Sequence, residues 1–428
     1  VTATAFDRLR THVRATAGGF PATFWVLFWG TLVNRAGSFV LVYLTVYLTQ
    51  VRGYPVRTAG LVAALYGAGS LLSGLLGGHL ADHIGRRATM VGALTFGGLG
   101  MIGLGFARDL NLIAPMTFLV ALMGEAYRPA MQAAIADLVP PHDRVRAFGL
   151  VYWVVNIGFS IGALVGGLLA STSFLLLFLF DGVTSLAFAI LIARGVPETR
   201  PVLAPHEPVR PRRGLVHDFL VPYRDGPFGL LILLCALILT VFWQHVSTMP
   251  IDMAARGVSR AGLGAVLAIN GITIVILQPL VAPLLQRSNR SRVLAAGALL
   301  VGLGFGLNVL AHGPALFGLG VFIWTLGEIC VLPIGNAVVA DIAPADMRGR
   351  YQAAYGLSFG LAGSVAPLLG TFVLERLGTV WLWGGCLAIG LVVAIGQLAL
   401  EPALTRLRTE RLALRAAIPV ALETEPAS

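Results

Sequence analysis

Apolar residues recur in blocks of about twenty along almost the whole chain, separated by short polar turns. That block length is what an α-helix needs to cross the hydrocarbon of a bilayer. The pattern predicts twelve spans, at 21–48, 57–81, 88–107, 111–139, 146–170, 173–193, 228–249, 260–285, 293–312, 314–342, 351–375 and 379–400. One connection is long. The stretch GVPETRPVLAPHEPVRPRRGLVHDFLVPYRDG, rich in proline and arginine, has too little apolar surface to pack and reads as a polar linker. The expected architecture is an all-α membrane protein of 12 transmembrane helices in two six-helix bundles. The bundles occupy residues 1–194 and 227–400, with a cytoplasmic linker at 195–226 and a cytoplasmic tail at 401–428.

Composition agrees. The chain is 57% hydrophobic and 12% charged, a balance that would leave a soluble domain with apolar surface in water. Its net charge of +10 does not indicate a nucleic-acid partner, because the charges cluster at the ends of spans. All 30 basic residues are arginine. With the N-terminus inside, the cytoplasmic segments hold 22 of them, starting with Arg8, Arg10 and Arg14. The opposite side holds six (Arg52, Arg57, Arg108, Arg256, Arg260 and Arg376), and Arg35 and Arg128 lie within spans. This bias predicts an inner-membrane, multi-pass protein with both termini cytoplasmic. No small-residue cleavage site follows the first span, which is expected to be retained. The tail segment LTRLRTERLALRAAI fits either a helix on the inner membrane surface or a solvated tail. Cys235, Cys330 and Cys386 fall inside spans, so neither a disulfide framework nor a metal site is expected. No nucleotide-binding glycine loop is present, and neither a cofactor nor enzymatic activity is expected.

The two halves share a repeat. Pro129, Ala136, Asp137, Pro140, Arg144 and Arg146 recur 204 residues later as Pro333, Ala340, Asp341, Pro344, Arg348 and Arg350, and Glu125 matches Glu328 with one residue of slack. Six spans per half with such a repeat is the mark of a transporter whose site lies between pseudo-symmetric bundles. After the second span comes Gly78-H-L-A-Asp82-H-I-Gly85-Arg86-Arg87. Its glycines allow a tight turn and close helix contact, and its arginines suit lipid headgroups. The corresponding stretch of the second half has Gln286 in place of Asp82. The fifth span carries Gly149, Gly158, Gly162, Gly166 and Gly167, small residues that permit close packing against a neighbour.

These features resemble the major facilitator superfamily along essentially the whole chain. The second-to-third turn resembles its signature G-x-L-a-D-r-x-G-r-k/r. The fifth-span glycines are similar to the motif of drug:proton antiporters, with Ala163 in place of the motif's proline. The resemblance implies that Asp82 faces the N-terminus of the eleventh span near Arg350 and Tyr351, latching an outward-open state. It implies that the fifth-span glycines close a leak path, and that the acid in the "GE" position of the tenth span, Glu328, acts in proton coupling. That family places an arginine four residues before Gly124; Val120 stands there, and Arg128 or Arg35 are the candidates to substitute.

Ionisable groups inside a span are costly and therefore functional candidates. Glu328 shares a helix face with Trp324, Leu332 and Gly335, has no lysine to pair with, and is expected to have only apolar neighbours. Glu125 and Arg128, three apart, either neutralise each other or act separately, Glu125 in proton coupling and Arg128 in gating. Arg35 needs a partner: Glu125, Glu328, Asp181 or an anionic group on the substrate. Asp181 is a further protonatable candidate, and Asp137 and Asp341 are expected in gate pairs with arginines. Asn34, Tyr152, Asn156, Trp243, His245 and Trp324, with Trp29, Tyr43, Trp153, Gln244 and Asn270, are candidates for an aromatic and polar cavity. His245 is expected near the outer end of its span. Aromatic groups with acids suit amphipathic, even cationic, molecules. The expected function is a monomeric, proton-driven exporter of hydrophobic or amphipathic small molecules, with protons, substrate and lipid bilayer as its partners. A symporter or facilitator importing a small metabolite is the alternative.

Overall fold

In lipid every backbone N–H and C=O must be satisfied within the segment, so the apolar blocks have no stable choice but helix. The computed structural model describes residues 18–140, 143–200, 221–344 and 347–417. Arg8, Arg10, Arg14, linker residues 201–220 and the last residues of the tail lie outside them, as do the side chains of Gln286 and Arg348. Among the described residues, twelve helices are long and apolar enough to cross a membrane: Ala22–Val51, Val56–His83, Arg86–Phe106, Leu110–Leu138, Arg146–Thr172, Phe174–Gly195, Gly226–Ala255, Arg260–Leu285, Arg290–Leu310, Pro314–Ile342, Arg350–Arg376 and Thr379–Glu410. They are called the first to twelfth spans below. Large apolar side chains such as Leu75, Trp381 and Ile395 are 72%, 68% and 66% exposed, which suits lipid and not water. The twelfth helix continues to Ala417, beyond the expected end at 400, because the Leu/Arg alternation keeps helical spacing.

Three spans are broken midway. The fourth consists of helices Leu110–Gly124 and Tyr127–Leu138. Pro129 lacks an N–H, and its ring crowds the carbonyl four residues back, which is that of Glu125. The first span breaks at Ser38–Phe39, between helices Ala22–Gly37 and Val40–Val46, where the Ser38 hydroxyl donates to Asn34 O at 2.9 Å. The seventh breaks at Trp243, between Gly226–Phe242 and Gln244–Ala255. Phe39 and Trp243 are 204 residues apart, so the repeat extends to the breaks.

The same offset relates several tertiary contacts. Arg52 donates to Tyr47 Oη at 2.6 Å and to Ala107 O at 3.2 Å, at the end of the third span. Its counterpart Arg256 donates to Asp252 Oδ1 at 2.9 Å and to Ala311 O, at the end of the ninth. Each arginine thus meets the partial negative charge of a helix C-terminus. Gly53 and Gly257, next in sequence, both have positive φ, 68° and 80°.

Among the described residues, the close contacts between the halves concentrate toward the end away from the linker. In the second and eleventh spans, Gly60 lies against Thr371 and Pro367, and Gly67 against Gly363 and Ser364. In the fifth and eighth, Gly271 lies against Asn156 and Ser160, Gly264 against Ala163, and Gly167 against Arg260 and Ala261. The Tyr43 hydroxyl completes the seal, 3.3 Å from Arg260 O. Toward the linker the same helices separate. A Cβ added at Gly74, Gly149 or Gly356 would meet nothing within 4 Å, and Leu284 is 65% exposed. A cleft between the bundles therefore opens at the end that carries the linker.

Candidate functional site

The first-half polar groups converge where the first and fourth spans are broken. Tyr66 on the second span donates to Glu125 Oε1 at 2.9 Å, and Arg128 pairs through Nε with Glu125 Oε2. The Tyr127 hydroxyl donates to Asn34 Oδ1 at 3.2 Å, Asn34 Nδ2 donates to Ser185 Oγ at 3.0 Å, and Arg35 donates to Tyr127 Oη. Arg35 thus finds a phenol, and no ion pair joins it to Glu125, Asp181 or Glu328 among the described residues. Asp181 is 4% exposed, with the amide of Val40, first residue after the break, directed at its carboxylate. Arg35, Tyr66, Glu125, Tyr127 and Asp181 enclose a chamber of about 60 Å³, room for a few ordered waters.

Arg35 and Tyr127 also face the open side. With Arg128, Tyr152, Met131 and Phe148 they line a groove of about 290 Å³ on the cleft wall. Arg128 is half exposed there, whereas Glu125 behind it is 13% exposed.

The second half is built differently around its acid. Glu328 is 7% exposed, and Asn270 of the eighth span donates Nδ2 to its Oε2 at 2.6 Å. The same Nδ2 lies 3.0 Å from Thr325 Oγ1, whose own proton goes to Val321 O at 2.6 Å. The expectation of purely apolar neighbours is therefore corrected. The partner lies 58 residues away in sequence, invisible to helix-face reasoning. Trp324 does not line the open cleft: it is 1% exposed and stacks on Phe305 at 5.5 Å. His245 lies inward of the expected outer end because the seventh span runs on to Ala255, held by buried Asp252, which accepts from Trp383 Nε1 at 2.8 Å. The His245 ring is tilted 5.5 Å from that of Trp324, and its Nδ1 carries the hydrogen given to Phe242 O at 2.6 Å, since a carbonyl only accepts. Trp243 packs on Gly363 and Asn156 against Gly271, both at the sealed contact between halves rather than in the open groove.

At the linker end, Arg86 is 12% exposed and pairs with Asp82 Oδ1 at 2.7 Å and Asp137 Oδ2 at 3.3 Å, and donates to Ala81 O at 2.6 Å. One expectation changes here. Arg86 serves an internal ion cluster instead of lipid headgroups, because two carboxylates and a helix C-terminus surround it. Asp82, 69% exposed, pairs with Arg86 within its own turn in this state, whereas the latch to the eleventh span is expected when the cleft at this end is closed. Gly85 is the glycine the turn requires, with φ 104°, whereas Gly78 has open space around it and Gly77 makes the close contact, with Ala126 and Pro129. Arg87 donates to Ala193 O.

Glu198, missed in the sequence, caps the third span by accepting from Arg86 N at 2.8 Å and Arg87 N at 3.2 Å. Partial burial raises the pKa of its carboxyl, but the amides of Arg200, Arg86, Arg87 and Thr199 outweigh that and hold it below the usual carboxylate range. The second half repeats the main pair at the 204-residue offset: Arg290 pairs with Asp341, which also takes Arg408 Nε at 2.9 Å. In the fifth span, Gly158 and Gly162 lie against Arg35, Gly166 against Phe39 and Gly167 against Arg260, but Gly149 against nothing.

Two six-helix halves, spans broken midway, buried acids and a cleft open at one end are features of a membrane transporter. The family model described as Major Facilitator Superfamily matches residues 27–254 and 245–419. The chain belongs to that superfamily, and it is a transporter and not an enzyme. Among its relatives, an uncharacterized MFS-type transporter, YqjV of Bacillus subtilis, is 26% identical over 83% of this chain and 87% of its own. A Na(+), Li(+), K(+)/H(+) antiporter of Planococcus maritimus is 26% identical over 78% of this chain and 85% of its own. The multidrug resistance protein MdtH of Aeromonas salmonicida is 24% identical over 79% and 84%. A crystal structure of the peptide transporter POT in complex with sulfate superposes with TM-score 0.73 at 21% identity, covering 93% of this chain and 99% of that one. At that identity the likeness concerns the fold alone.

Proposed function

We propose that the protein is a proton-coupled antiporter that exports hydrophobic or amphipathic small molecules by alternating access. The observation that carries this reading is Glu328, a buried carboxylic acid facing Tyr152 of the other half, tethered by a neutral amide and, among the described residues, by no cation. An acid so placed can bind and release a proton as access alternates, whereas one locked to arginine stays charged. The tight fifth-span seam, Gly158 to Gly167, supports a sealed path at the far end, and relatives named as antiporter and multidrug resistance protein agree with the direction of transport. By the arginine bias, the linker end and both termini face the cytoplasm of a cell with an inner membrane, and the open cleft is the state that collects substrate there. The substrate's apolar body lies along Met131, Ile135, Phe148 and Val151, with Tyr152 at the groove's side. A proton arriving from outside at Glu328 then discharges it, as the bundles rock about the broken spans. The protein acts as a monomer.

One feature favours the alternative. Arg35 and Arg128 line the groove without a carboxylate lining it, so an acidic group on a metabolite fits there. A proton would then assist binding instead of opposing it, which is the logic of symport. Reconstitution in vesicles under an imposed pH gradient separates the two by the direction of substrate movement. Export against the gradient is expected, with accumulation falling to the passive level in Glu328→Gln. Substrate-independent proton flux, or transport unchanged in Glu328→Gln, would overturn the coupling.

A further inference from the structure

We propose that Asn270 is a positioning residue that decides which oxygen of Glu328 carries the proton: Oε2 is a permanent acceptor, and Oε1 is the site that loads and unloads. This rests on the reading of Glu328 as the coupling acid and adds the atom and its director.

A threonine hydroxyl has one proton, and that of Thr325 is committed to Val321 O at 2.6 Å. Toward Asn270 the hydroxyl can therefore only accept, which fixes the amide with Nδ2 facing Thr325 at 3.0 Å. The second hydrogen of Nδ2 points at Glu328 Oε2, 2.6 Å away, so that oxygen accepts whether the acid is charged or neutral. Among the described residues Oε1 has no hydrogen-bond partner, and it is not sealed from the surroundings. It is the one place on this carboxyl where a proton can reside without breaking a bond.

The other half shows why only one acid is built this way. Tyr66 lies 204 residues before Asn270 and does the same job, giving its hydroxyl to Glu125 at 2.9 Å. Both halves therefore place a donor on the second helix of the bundle against an acid on the fourth. Leu332, however, stands where the repeat has Arg128. Arg128 occupies the second oxygen of Glu125; Leu332 leaves the second oxygen of Glu328 free. Substitution of that one cation turns a saturated carboxylate into a loadable one. Tyr152 of the fifth span is the titratable group facing Glu328 from another element. His245 lies beside Trp324, one turn away, and Tyr355 reaches Gly335, two turns away. No arginine or other carboxyl acts on Glu328 among the described residues.

The test uses the full chain in proteoliposomes, following transport against pH and the infrared C=O stretch of the protonated Glu328 carboxyl. Asn270→Leu removes a donor that favours the charged form, so the half-maximal pH of transport is expected to rise by about one unit, with KM for substrate little changed. The C=O band is expected at higher frequency, because its oxygen has lost a hydrogen bond. Thr325→Val keeps the side chain of Asn270 but frees its amide to turn, and both readouts are expected to move the same way by less. It also stands alone as the test if Asn270→Leu does not fold. Unchanged profiles and bands in folded variants, with Glu328→Gln still uncoupling, overturn the role of Asn270 only. Indifference to Glu328→Gln overturns the coupling reading itself.

Discussion

Glu198 illustrates how much one side chain can hold together at the surface of such a protein. Its carboxylate accepts four backbone amides, two at the start of the third span and two from Thr199 and Arg200 beside it, and fills the space a side chain on Gly85 would need. A carboxylate there meets the partial positive charge of the helix N-terminus. Because its folded pKa is depressed, its contribution is present above the unfolded carboxyl value and is lost as pH falls through the folded value. Glu198→Ala is therefore expected to lower stability by about 1 kcal/mol at pH 7, a capping magnitude kept modest because the group is largely solvated. Thermal unfolding in detergent at pH 7 and at about pH 3, below the ordinary carboxyl pKa, checks this, since the gap between variant and wild type should close in acid. Glu125 with Arg128 was readable from spacing, because residues three apart share a helix face. Glu198 and Asn270 were not, because their partners are separated from them by 111 and 58 residues.

Among the helices, the spans were legible and their interruptions only partly so. Pro129 announces the break at Glu125, four residues upstream, but nothing local marks the break at Trp243. Irregular backbone at membrane depth survives only where protein covers it, so the breaks sit at the facing surfaces of the bundles. The helix pairs that seal the far end depend on glycine. At Gly271 a Cβ would collide with Ser160 and Asn156, and at Gly67 with the backbone of Gly363. Gly271→Leu is expected to disfavour the sealed end and shift the protein toward the opposite opening. Spin labels at Arg57→Cys and Glu375→Cys, residues joined across that end at 3.2 Å, should report a longer distance in this variant. An unchanged distance distribution would remove the glycine seam from the gate.

The whole molecule is one of two states that the same contacts must exchange. The ion clusters Arg86–Asp137 and Arg290–Asp341 each lie within one bundle and brace the two separately. In a background lacking Cys235, Cys330 and Cys386, cysteines at Gly149 and Gly356 should react with an impermeant maleimide supplied from the linker side, and one at Gly167 should not. Conditions that protect Gly149→Cys should expose Gly167→Cys. Simultaneous labelling of both would mean a pore, not a transporter.

The twelve spans, the repeat and the presence of two related acids were all written in the order of residues. Bilayer thickness sets the apolar run length, and a duplicated chain keeps its register. What those acids touch was settled only when the helices packed. Packing gave Arg35 a tyrosine instead of a carboxylate, tied Arg86 to Asp137, and set Asn270 against Glu328. Periodicity encodes which face of a helix a residue occupies, but the group that meets it comes from another helix, and the arrangement of helices alone chooses that partner.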